Sequence, residues 1–184
     1  MHSNTLDIDN CVLAVVDVQE AFRKAIPDFG EVVSRIAITI RGFQTLGRPI
    51  IVTEQYPKGL GRTIEELQFA LSDDALFVEK LTFSSYGEEG FVAEVEKFQS
   101  KQVVLCGIEA HVCVNQTAHD LLDAGYQVHL LTDCVTSRYE HDKKAGIRKI
   151  LSSGAISSSM EMALFEMMRD SRHEKFKEIQ ALIR

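Results

Sequence analysis

Short apolar runs, most of them rich in β-branched residues, recur along this chain with helix-patterned stretches between them. Strands that read as continuous apolar runs are buried on both faces, the condition of a parallel sheet covered by helices. Six runs qualify: Cys11 to Asp17, Pro49 to Glu54, Ala75 to Lys80, Gln102 to Gly107, Gln127 to Thr132 and the shorter Ala155 to Ser158. Between the first two, Glu31 to Leu46 places Val33, Ile36, Ala37, Ile40, Phe43 and Gln44 at the 3.6-residue spacing, and Gly47 stands where such a helix stops. Phe91 to Phe98 repeats the pattern, and Val114, Ala118, Leu121 and Leu122 form a third stripe ending at Asp123-Ala124-Gly125. Further helices are expected near Glu140 to Leu151 and Met160 to Met168. These elements predict an α/β fold in three layers, α/β/α.

The segment Gln55 to Leu71 departs from this rhythm, because Pro57, Gly59 and Gly61 break any regular element, so it reads as a functional or packing loop. No linker or repeat divides the 184 residues, and residues 1–184 are expected to form a single domain. The chain is 45% hydrophobic and 26% charged, which excludes disorder as the default. A net charge of -7 leaves no basic surplus for phosphates, so no nucleic-acid partner is expected. The apolar run Cys11 to Val16 is far short of a membrane span, and the first residues carry no secretory pattern, so a cytoplasmic protein without a membrane partner is expected. The four cysteines, at 11, 106, 113 and 134, contain no C-x-x-C pair and do not read as a disulfide framework.

Ligands of open α/β sheets bind beyond the carboxyl ends of the strands, where the loops diverge. At those ends this chain presents Asp17, Glu54, Lys80 and the stretch Gly107 to His111 followed by Cys113. A cysteine at a helix start feels the positive end of the helix dipole, and a nearby lysine further favours its thiolate. The N–H groups of the same first turn could hold an oxyanion, and an aspartate could take the thiol proton. The bland alternatives stand beside this. Cys11, Cys106 and Cys134 are assigned as small buried hydrophobes; Asp17 could merely cap its turn, and a strand-end lysine is by default solvated. The turn Asp17 to Phe22 has no glycine, which argues against a dinucleotide or phosphate loop. His111 with Cys113 makes only an i, i+2 pair, so neither a metal nor a cofactor is expected.

With these residues in view, the chain resembles the isochorismatase-like cysteine hydrolases along nearly its whole length, especially the isochorismatase domain-containing subgroup. The resemblance lies in Val15 to Glu20, Thr53 to Gly61, Lys80 to Ser84 and Leu105 to Val114. It implies a Rossmann-like fold with a six-stranded parallel sheet and a catalytic triad of Asp17, Lys80 and Cys113. It also implies a non-proline cis peptide at Ile108-Glu109 that helps aim backbone N–H groups, those around Val112 and Cys113, at the oxyanion. Two departures bear on substrate. Nicotinamidases of this superfamily carry a metal-binding Asp-x-His where this chain has Glu54-Gln55-Tyr56, and authentic isochorismatases lack the nucleophilic cysteine. The expected chemistry is therefore hydrolysis of a small amide, carbamoyl or related C–N bond through a thioester, with Phe22, Glu54, Tyr56 and Phe83 as candidate substrate-binding residues. The alternatives are a non-catalytic binding or structural protein on the same fold and a redox-reactive thiol, the latter weakened by the lack of a nearby resolving cysteine. The family commonly forms symmetric assemblies, so a homo-oligomer, dimer or higher, is expected; Met160 to Met168 is either an interface or a buried helix.

Overall fold

Six strands form one sheet: β1 (Cys11–Val16), β2 (Ile50–Gln55), β3 (Leu76–Lys80), β4 (Gln102–Ile108), β5 (Gln127–Thr136) and β6 (Ile156–Ser158). The computed structural model describes the chain apart from residues 1, 3 and 74. Neighbouring strands are all parallel, in the order β3-β2-β1-β4-β5-β6. Chain direction across the sheet reverses between β1 and β4, which makes the carboxyl ends of those two strands the switch point where a crevice opens. The helices are α1 (Phe29–Thr45), α2 (Pro57–Leu60), α3 (Glu65–Gln68), α4 (Glu89–Lys97), α5 (Cys113–Asp123), α6 (Glu140–Ser152), α7 (Met160–Met168) and α8 (Phe176–Leu182).

Alternation along the strands builds two cores. Leu13, Val15, Val52, Val104 and Cys106 face α1, α7 and α8, whereas Val12, Ala14, Val16, Ile51, Val103 and Leu105 face α4, α5 and α6. Every residue of β1 and β4 is buried, which is why both read as unbroken apolar runs.

Some expectations need correction. The segment 55–71 holds two one-turn helices, because Pro57 supplies the fixed φ that opens α2. β5 continues to Thr136, past the expected end at Thr132: a register shift between Leu105 and Gly107 lets the strand re-pair, Gly107 with Val135 and Ile108 with Thr136. The methionine-rich α7 is a buried helix, with Met160, Ala163, Leu164, Met167 and Met168 packed in the α1-side core. α8 was not anticipated from the sequence; its Ile179 closes the same core. No helix among the described residues is long and apolar enough to cross a membrane.

Candidate active site

Asp17 leaves β1 with φ +52, a left-handed conformation that aspartate tolerates better than most residues. Beside it, Gly107 on β4 has φ +124, and a Cβ there would stand 2.1 Å from the Val16 carbonyl oxygen. Only glycine lets the two strand ends approach this closely where Asp17 and the loop leading to Cys113 emerge.

Lys80 ends β3 and turns inward. Its ammonium donates to Asp17 Oδ2 at 2.7 Å, Gln55 Oε1 at 2.7 Å, Phe83 O at 3.0 Å and Thr82 O at 3.1 Å. The Lys80 and Asp17 side chains are 0% and 1% exposed. The default solvated lysine is therefore excluded: four acceptors surround its three protons. Thr53 Oγ1 donates to the other Asp17 oxygen, Oδ1, at 2.7 Å.

Cys113 is the first residue of α5, 8% exposed, and within electrostatic reach of Asp17 and Lys80. Burial, and then the charge of Asp17, push its thiol up to about 12, while Lys80 pulls the other way. Lys80 is paired with Asp17 at 2.7 Å, so its pull on the thiol is largely offset.

The Ile108-Glu109 peptide is cis. The loop after it is clamped to β5 and the residues that follow: Ala110 N–H donates to Thr136 O at 2.8 Å, and the Arg138 N–H and Nε–H both donate to Glu109 Oε1 at 3.0 Å. The Val112 N–H donates to Glu109 O at 3.0 Å, so it is not available to an oxyanion as expected. The His111 and Cys113 N–H groups make no hydrogen bond among the described residues, which leaves them as the candidate donors.

Of the candidate wall residues, Tyr56 and Phe83 are 51% and 55% exposed, and both are tied to Lys80 through backbone bonds: the Tyr56 N–H donates to Lys80 O at 2.9 Å, and Phe83 O accepts from the ammonium. A cavity of about 400 Å³ is lined by Tyr56, Lys58, Glu79, Lys80, Leu81 and Glu88 among others, and Phe83 is not part of its wall. Phe22 is half-buried and packs on the α1-side core. Glu54 is not among the partners of Asp17 or Lys80. Strand alternation turns it to the opposite face, where its carboxylate accepts from Thr63 N–H and Oγ1 and from Arg62. Its neighbours Thr53 and Gln55 are the residues that reach Asp17 and Lys80. Their i, i+2 spacing was visible in the sequence, although neither residue type signals chemistry. Gln19 was not singled out either; it fastens the β2 end by accepting from Gln55 N–H at 2.8 Å and donating to Gly61 O at 2.6 Å. Among the described residues no group of three or more His, Cys, Asp or Glu is placed to hold a metal ion.

A family model described as the Isochorismatase domain matches residues 11–162. The chain is 40% identical over 168 residues to Isochorismatase domain-containing protein 1 of Salmo salar, covering 91% of this chain and 59% of that protein. It thus spans less than two thirds of that relative's length. To Isochorismatase domain-containing protein 2 of Xenopus laevis it is 40% identical over 176 residues, 94% of this chain and 82% of that one. A solved structure described as MAR1 ribonuclease from Caenorhabditis elegans matches with a TM-score of 0.92 at 37% identity, covering 97% of this chain and 92% of that chain.

Proposed function

The chain belongs to the isochorismatase family, and from that membership and the geometry around Cys113 we propose a single-domain, cysteine-dependent hydrolase of a small amide, carbamoyl or related C–N bond. The carrying observation is the Asp17–Lys80 ion pair, 2.7 Å long and withdrawn from solvent, beside a thiol that opens a helix at the sheet's switch point. A buried ion pair contributes little net stability, because desolvation offsets the attraction. Its place at this edge is better accounted for by chemistry than by folding.

In the proposed reaction Asp17 takes the Cys113 proton as sulfur bonds to the carbonyl carbon, and the carbonyl electron pair moves to oxygen, facing the free N–H groups of His111 and Cys113. When the oxyanion collapses, the C–N bond breaks and the amine leaves with the proton from Asp17. A thioester remains. Water, deprotonated by Asp17, adds to it, and C–S cleavage releases the acid and the thiol. Lys80 holds Asp17 in place and offsets negative charge throughout, with no cofactor in the scheme, and Tyr56 and Phe83 offer apolar surface to the substrate.

A redox role fits less well, since a thiol held protonated is a poor partner for oxidants. The ribonuclease named for the Caenorhabditis elegans structure is not carried over, because a net charge of -7 opposes the phosphate backbone. Four free thiols fit a reducing, cytosolic setting. Assembly with further copies is part of the proposal, since Tyr56, Leu81 and Phe83 leave apolar surface exposed beside the site.

Mass spectrometry of the intact protein after incubation with small amides and carbamoyl compounds tests the reading. The expected result is an acyl adduct on the parent and none on Cys113→Ala. A panel that yields neither adduct nor product would leave the fold as a binding module.

A further inference from the structure

Thr53, fully buried at the end of β2, grips Asp17 twice. Its backbone carbonyl accepts the Asp17 N–H at 3.1 Å, and its hydroxyl donates to Asp17 Oδ1 at 2.7 Å. The direction of the second bond is fixed by its surroundings. An ionised carboxylate only accepts, and the Ser85 hydroxyl supplies a donor to Thr53 Oγ1 at 3.4 Å, so the one Thr53 proton goes to Asp17. Ser85 is held in turn by its N–H, which donates to Thr117 Oγ1 of α5 at 2.8 Å. With Lys80 on Oδ2, each Asp17 oxygen has its own donor from a different strand. The carboxylate of a residue in the left-handed region is thus kept from turning about its side-chain bonds.

We propose that Thr53 is a positioning residue for Asp17, its hydroxyl locking the carboxylate in the orientation that accepts and returns protons at Cys113. The inference rests on the proposed role of Asp17 as the base. It assigns Thr53 no contact with substrate. Its effect should be clearest in thioester hydrolysis, where sulfur is already acylated and thiol ionisation no longer affects the rate.

The test acetylates the full chain with p-nitrophenyl acetate and follows loss of the acetyl mass by intact-protein mass spectrometry, with Cys113→Ala as the control for where the acetyl group sits. Thr53→Val keeps the side-chain shape without the hydroxyl and should deacylate about tenfold more slowly or worse. Thr53→Ser, which restores the hydroxyl, should stay within about threefold of the parent. A Thr53→Val rate equal to the parent overturns the proposal, and so does a Thr53→Ser rate as slow as Thr53→Val, since the effect would then be one of packing. Asp17→Asn separates the two levels. If it deacylates at the parental rate, Asp17 is not the base and both readings fall; if it is slow while Thr53→Val is not, only the inference about Thr53 falls. Absence on the parent of both an acetyl adduct and p-nitrophenolate release above the Cys113→Ala control removes the hydrolase reading itself, and the inference with it.

Discussion

Lys80 and Asp17 hold opposite charges with almost no water contact, so neither can be removed without leaving the other stranded. Truncating one partner of a buried pair is far more damaging than replacing both, because the orphaned charge keeps its full desolvation penalty. Lys80→Met should therefore lower the unfolding free energy by about 3–5 kcal/mol. Adding Asp17→Asn should recover much of that loss, although the double variant should be inactive. Urea unfolding of the two single variants and the double variant checks this, and simple additivity would show that the two side chains are not coupled in solution. The same pair explains what was legible at this scale. Asp17, Lys80 and Cys113 were readable because strand ends of a parallel sheet converge and these three carry reactive groups. The upward push on the Cys113 thiol was not, since it follows from burial and from the neighbouring Asp17 charge.

Between elements, the loop leading to Cys113 sits directly on α6. A Cβ on Gly146 would lie 2.5 Å from Ala110 O, 2.7 Å from Ala110 C and 2.8 Å from His111 Cα. These are backbone atoms, so no side chain can swing aside: either α6 retreats or the loop shifts, taking the free His111 and Cys113 N–H groups with it. Gly146→Ala should cost about 1–3 kcal/mol and slow acylation of Cys113. Gly30→Ala in α1, where nothing lies within 4 Å of the added carbon, should be neutral or gain up to about 1 kcal/mol. Thermal melts together with acylation rates of the two variants make the comparison; equal behaviour would mean that the α6 contact is slack. This contact was invisible beforehand. Gly146 lies inside a helix whose apolar stripe is weak, and nothing in the spacing says which helix presses on which loop. The sheet itself was readable because β1 and β4 are buried on both faces and leave an unbroken apolar run. The β5 extension was hidden by Asp133, which interrupts the run while a register shift carries the strand onward. α8, seven residues long, is too short for its spacing to stand out.

For the molecule as a whole, buried titratable groups set how stability varies with pH on both sides of neutrality. His129 is fully buried, its Nδ1 has no hydrogen-bond partner among the described residues, and burial lowers its pKa. Below about pH 6.5 the unfolded chain binds a proton that native His129 resists, so stability should decline as pH falls through that range. On the alkaline side all four cysteines are raised by burial, with Cys11 and Cys113 pushed up to about 12 and Cys106 and Cys134 also well above the usual thiol range. A group raised in the native state stabilises it below the unfolded pKa and loses that contribution as pH climbs toward the native value. Above about pH 8.5 the unfolded chain releases thiol protons that the native chain retains, and each thiol should reduce stability by about 1.4 kcal/mol per pH unit. Urea unfolding under reducing conditions from pH 5 to pH 10 should therefore trace a dome. Cys113→Ala should flatten its alkaline limb by one proton's worth, and His129→Leu should flatten only the acid limb. An alkaline limb unchanged in Cys113→Ala would mean that the native protein does not hold the Cys113 proton more tightly than the unfolded chain does, and that burial and the Asp17 charge do not raise this thiol.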